Sequence, residues 1–121
     1  MTNRAAFLLI PVFLLGASAR AEDVALTCSV SSASFPSQDI VLRIRDGRVS
    51  YGSDAQSLVD AESIEKSSLV VKPERIAFKQ LFASTRVAWE WKIDRASGDI
   101  EIKYVNTENG KSFLTKKGKC S

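Results

Sequence analysis

The chain has no histidine, and Met1 is its only methionine. Without an imidazole, Ser-His-Asp and Cys-His nucleophilic catalysis are excluded, and so are the usual His-containing zinc sites. Cysteine is nearly as scarce, with only Cys28 and Cys120 at opposite ends of the chain, so no thiolate metal cluster is available. There is no internal repeat and no low-complexity segment. Nor is there an apolar run fit to span a bilayer: Ala5 to Leu15 is about eleven residues, against roughly 20 for a transmembrane helix. No metal and no cofactor are expected.

That short run has another reading. Arg4 supplies a positive n-region, Ala5 to Leu15 the apolar h-region, and Ala19-Arg20-Ala21 a small-x-small cleavage site, the pattern of a cleaved signal peptide over residues 1–21. The mature domain is then residues 22–121, one unit large enough for a single core. The expected location is periplasmic or secreted, with no stable membrane insertion after cleavage. Cleavage removes Arg4 and Arg20 but none of the acids, so the net charge falls from +3 to +1. Near-neutrality argues against nucleic acid, which requires a basic face interleaved with exposed aromatics. In an exported chain, two cysteines are expected to pair. A Cys28–Cys120 bond would tie the first strand to the last. The lipobox alternative, Ala25-Leu26-Thr27-Cys28, fails because Glu22 and Asp23 separate it from the apolar run.

What the chain does contain is strand patterning. Val87, Trp89, Trp91 and Ile93 alternate with Ala88, Glu90, Lys92 and Asp94, and Ile100, Ile102 and Tyr104 alternate with Asp99, Glu101 and Lys103. This is the period-2 signature of half-buried strands. Asp94-Arg95-Ala96-Ser97-Gly98-Asp99 between them carries turn chemistry, so the stretch predicts a hairpin holding both tryptophans. A second hairpin is predicted at Asp46-Gly47, where a two-residue turn sets Ile44 against Val49 and Leu42 against Tyr51. Val24, Leu26, Cys28 and Val30 form a first strand with Cys28 facing inward. Leu69 to Val71, Arg75 to Phe82, and the segment after Asn109-Gly110 read as further strands, with Lys72-Pro73-Glu74 as a turn. Residues 54–62 read either as a short helix capped by Asp54 or as a loop leading into a strand near Ser63 to Lys66. The sum is an all-β domain, a small antiparallel barrel or sandwich of about eight short strands.

Motifs for chemistry are sparse. Ser63-Ile64-Glu65-Lys66 matches S-x-x-K, but S-D-N and K-T-G are missing, so chance explains it. Asp94, Asp99, Glu101 and Glu90 cluster at the Trp hairpin. Acids on strands usually sit on the wet face opposite Lys92, Arg95 or Lys103, and the run lacks a calcium-loop pattern. No catalytic residues are assigned. Trp89 and Trp91 read as core or as the aromatic wall of a pocket that would also include Phe78 and Tyr104.

The core Trp89 to Gly98, followed by a strand and Gly118-Lys119-Cys120, resembles small secreted or periplasmic hypothetical proteins of Gram-negative, rhizobial-type bacteria with an I-D-R-x-[ST]-G hairpin and a G-x-C end. The resemblance covers the last third well and the N-terminal half loosely. It implies an envelope or extracellular location and no particular activity. Bacterial lysozyme inhibitors share the size, export and small-barrel plan, an analogy of architecture only. Two functions are therefore expected. One is an interaction module of the envelope or inhibitor type, meeting an unknown protein partner through Asp94, Arg95, Asp99, Lys111, Lys116, Lys117 and Lys119. The alternative is a carrier of a small apolar ligand.

Overall fold

The computed structural model describes residues 23–61 and 63–121. The expected signal peptide and its cleavage site after Ala21 lie outside the described residues. The domain is all-β: β1 (Val24–Ser31), β2 (Gln38–Arg45), β3 (Arg48–Gly52), β4 (Val59–Asp60), β5 (Val70–Val71), β6 (Arg75–Phe82), β7 (Val87–Asp94), β8 (Asp99–Asn106) and β9 (Ser112–Cys120), with one 3-10 turn at Lys66–Ser68. The strands form a single antiparallel sheet in the order β4-β3-β2-β1-β9-β8-β7-β6-β5, curled into a half-barrel. It is barrel-like rather than a two-sheet sandwich, because the first and last long strands are neighbours at its centre.

Two meanders, β1–β3 and β6–β9, therefore meet at a seam between β1 and β9. The ladder there is short, running from Cys28 opposite Cys120 to Ser31 opposite Lys117. Thr27 and Ser121 exchange both backbone hydrogen bonds, at 3.1 and 2.9 Å. The next pair, Cys28 and Cys120, thus occupies a non-hydrogen-bonded position, where opposing side chains approach most closely. The disulfide joins them with a Cα–Cα distance of 3.9 Å. On the opposite side of the half-barrel, the connection between β3 and β6 bridges the sheet's margins. Ala61 N–H donates to Val49 O, while Glu65 N–H donates to Lys79 O and Leu81 N–H to Ser63 O. The margins are thereby covered by short strands and local chain, which limits exposed edge hydrogen-bonding groups.

The alternation read from sequence sorts the side chains. Val24, Cys28 and Val30 of β1, Ile40, Leu42 and Ile44 of β2, Ile76 and Phe78 of β6, Trp91 and Ile93 of β7, and Ile100 and Ile102 of β8 make the buried core. Both expected hairpins form: the first in the expected register, Ile44 opposite Val49 and Leu42 opposite Tyr51, and the second with Ile93 opposite Ile100. Asp46 and Gly47 both have positive φ, 52° and 76°, the requirement of the type I′ turn.

The helical alternative for 54–62 is not realised in the described residues there. Asp54 instead makes an Asx turn, its carboxylate accepting from Gln56 N–H at 3.0 Å, and Ser57 N–H closes the turn on Asp54 O. An Asx turn competes directly with helix initiation. The β-branched Val59 then pairs across from Tyr51 as β4. The strand expected at Ser63 to Lys66 is reduced to one bridge, Ile64 opposite Gln80.

Candidate functional site

One end of the half-barrel is open, and its shape follows from strand lengths. The β1–β9 ladder stops at Ser31 and Lys117, so the next inward residue of β9, Lys116, has no β1 neighbour to cover it. It stands opposite Ile102. A cup of about 300 Å³ opens there, with Ile40, Ile102 and Trp91 as its floor. Tyr51, Trp89 and Tyr104 form the walls, while Gln38, Asp39, Gly52, Ser53 and Lys116 complete the lining.

The aromatic walls are held from behind. Trp91 stacks on Phe78 at 5.0 Å between centroids, with 20° between planes, and meets Tyr51 at 5.3 Å. Gln80, wholly buried, accepts from the Trp91 indole N–H at 2.9 Å and donates to the Tyr51 hydroxyl at 3.2 Å. Trp89 and Tyr104 are cross-strand partners with centroids 4.8 Å apart. Phe82 packs behind Trp89 at 4.8 Å, and Phe113 meets Tyr104 edge-on at 6.3 Å. Such pairs add to the stabilisation from burial alone. The rings are thus fixed before any ligand arrives.

At the rim, the Lys116 ammonium donates to Gln38 Oε1 at 3.3 Å. It lies 5.3 Å from the Phe35 ring centroid and 5.5 Å from that of Tyr104, within cation–π range. Phe35 and Phe113 are 49% and 59% exposed, so the mouth carries an apolar border.

The structure divides the residues expected to form an interaction surface. Lys117 and Lys119 point away from the cup and meet acids of β8, Lys119 with Asp99 at 2.6 Å and Lys117 with Glu101 at 3.9 Å. Lys116, between them, faces the other way. Lys111 lies in the β8–β9 turn. The C-terminal lysines are therefore not one basic face. Of the expected partners, Lys103 meets Glu101 at 3.9 Å and Lys92 stands opposite it on β7; Lys117 and Lys119 of β9 are partners that were not expected. The Lys119 ammonium, bonded to Asp99, holds its carboxyl below the ordinary aspartate range, with the Ser97 hydroxyl assisting. Asp94 organises the hairpin tip, its carboxylate accepting from Ala96 N–H and Ser97 N–H at 2.9 and 3.2 Å. Gly98 N–H closes the loop on Asp94 O at 2.8 Å, with Gly98 at φ 82°. Arg95 ties this loop to its neighbour through a hydrogen bond to Lys72 O at 2.9 Å.

Of the expected pocket aromatics, Trp89, Trp91 and Tyr104 line the cup, whereas Phe78 lies behind Trp91 as core. Sequence reading missed Tyr51, Gln80 and the inward role of Lys116. Each had a signal: all three fall on the apolar parity of their strands, where a polar group has to find a partner or a cavity. Among the described residues, no group of His, Cys, Asp and Glu is placed to hold a metal ion, and no helix is long and apolar enough to cross a membrane. No family model matches the chain, nor does any curated protein or solved structure.

Proposed function

We propose that this protein is an exported binding protein that holds a small, largely apolar ligand in the aromatic cup. The observation that carries the reading is the cup itself. At this end of the half-barrel three aromatic walls, Tyr51, Trp89 and Tyr104, surround open space above an apolar floor. Its size lies at the lower end of the roughly 300–1,000 Å³ of small-molecule sites, and a few polar groups stand on one side to orient a ligand. Isothermal calorimetry with naphthalene-2-carboxamide as a neutral aromatic probe tests it. One saturable site is expected, weakened at least about tenfold by Trp89→Ala, the loss of one stacking wall. Absence of binding, or binding indifferent to Trp89→Ala, would overturn the reading.

Export belongs to the same proposal, supported by the leader-like residues 1–21 and by a disulfide, a bond that persists in oxidising compartments. Purified periplasmic or secreted material should have a mass starting at Glu22; an intact Met1 would contradict it. A second reading, an interaction module of the envelope or inhibitor type, is favoured by the hairpin tip Asp94 to Asp99. That tip is exposed yet held by its own hydrogen bonds, as a pre-organised docking loop would be.

A further inference from the structure

We infer that the cup selects ligands joining a flat apolar body to one anionic group, an aromatic carboxylate being the simplest case, and that Lys116 reads the charge. The inference rests on the cup reading above and adds the ligand's chemical class.

Lys116 differs from its neighbours on β9 in what it meets. Lys117 and Lys119 are paired with Glu101 and Asp99 on the outer face. Lys116 is turned inward, and among the described residues no carboxylate stands within salt-bridge distance of it. Its partners are a neutral amide oxygen, Gln38 Oε1 at 3.3 Å, and two ring faces more than 5 Å away. These are weak substitutes for a charge-assisted hydrogen bond. A carboxylate placed over them would gain a full ion pair, in a site whose apolar floor screens charge less than open water does.

The remaining lining narrows the class. Trp89, Tyr104 and Tyr51 line the cup with aromatic surface, which suits a planar apolar body. The Tyr51 hydroxyl accepts from Gln80 and keeps its own O–H as a neutral donor, whereas the charged donor lies on the Lys116 and Gln38 side. That asymmetry suits a ligand polar at one end rather than one ringed with hydroxyls. An aromatic cage without a lysine would favour organic cations; here the inward ammonium repels them. Asp39 also borders the cup. It falls on the opposite parity of β2 from the inward Ile40, and is exposed. Its strand parity therefore turns it from the inner face, and Lys116 is the charge on the inward parity at the cup's rim.

Calorimetry at low salt with 2-naphthoate, naphthalene-2-carboxamide and 2-naphthylmethylammonium separates the possibilities. The anion is expected to bind at least about tenfold more tightly than the amide, and the cation more weakly than either. Lys116→Gln should remove the preference, bringing the anion's affinity to that of the amide in the same variant, while Lys116→Arg should retain the preference. Thermal melts of both variants check that the fold is intact. Equal affinity for anion and amide, or a preference that survives Lys116→Gln, would overturn the inference and leave the cup reading standing. Failure of all three probes would overturn the cup reading itself.

Discussion

Gln80 shows how far a single side chain reaches in this fold. Within β6 it shares the inward parity of Ile76 and Phe78, and it is the buried polar residue among the described ones. Burying an amide is costly unless its groups are bonded, and Gln80 meets this by fixing both Trp91 and Tyr51. Replacing it by Met keeps the volume but leaves the Trp91 indole N–H without this acceptor. Stability should fall by about 1–3 kcal/mol, read as a lower urea midpoint; an unchanged midpoint would contradict the role. Asp99 is a smaller case with a clear sign. Its folded pKa is depressed by Lys119, so the pair stabilises the fold at neutral pH, and that contribution is lost as acid carries the pH down through the depressed value. Lys119→Met should return the Asp99 carboxyl towards the ordinary range in an NMR titration, and a value that stays low would contradict the pairing. Neither partner was identified from sequence. Alternation says which face a residue takes, but not which residue of a neighbouring strand, or of the strand across the half-barrel, it will meet.

At the scale of elements, the hairpins were the most legible part. Asp46-Gly47 and the Asp94-to-Gly98 loop carry their turn chemistry locally, and one correct turn fixes the whole register of the strands it joins. The ambiguous region 54–62 was not legible, because helix and turn compete there with similar local preferences and only pairing to β3 decides. The pairing of β1 with β9 could be anticipated from the two cysteines, but the closeness of their backbones left only one trace, Gly118. A Cβ at that position would lie 1.7 Å from Ser29 O, an overlap that side-chain rotation cannot relieve. Gly118→Ala should force the two backbones apart and cost about 3 kcal/mol or more, at the upper end of overpacking substitutions. A melting temperature equal to that of the parent chain would show that β1 and β9 do not approach as described.

For the whole molecule, the decisive contacts are the most distant in sequence. Cys28 and Cys120 are 92 residues apart, and their bond clamps the short ladder joining the two meanders. The chain-entropy argument assigns roughly 4.6 kcal/mol to closing a loop of this length, with about 2–4 more usual in practice. The double substitution Cys28→Ser/Cys120→Ser should therefore lower the melting temperature markedly under oxidising conditions, and equal melting would remove the clamp from the account. The all-β class, the neighbouring of first and last strands and the disulfide could all be anticipated from the residues. The cup could not, because it exists only where β1 ends before β9 does, and where Tyr51 and Lys116, far apart in sequence, are brought to one mouth.

The most direct test of that cup is a two-dimensional 1H–15N NMR titration of the oxidised protein with naphthalene-2-carboxamide. The expected result is a saturable shift of the Trp89 indole resonance together with the amides of Tyr51, Ile102, Tyr104 and Lys116, while Asp94 to Asp99 stay in place. Shifts confined to the Asp94–Asp99 loop, or no saturable shift at the mouth, would contradict it.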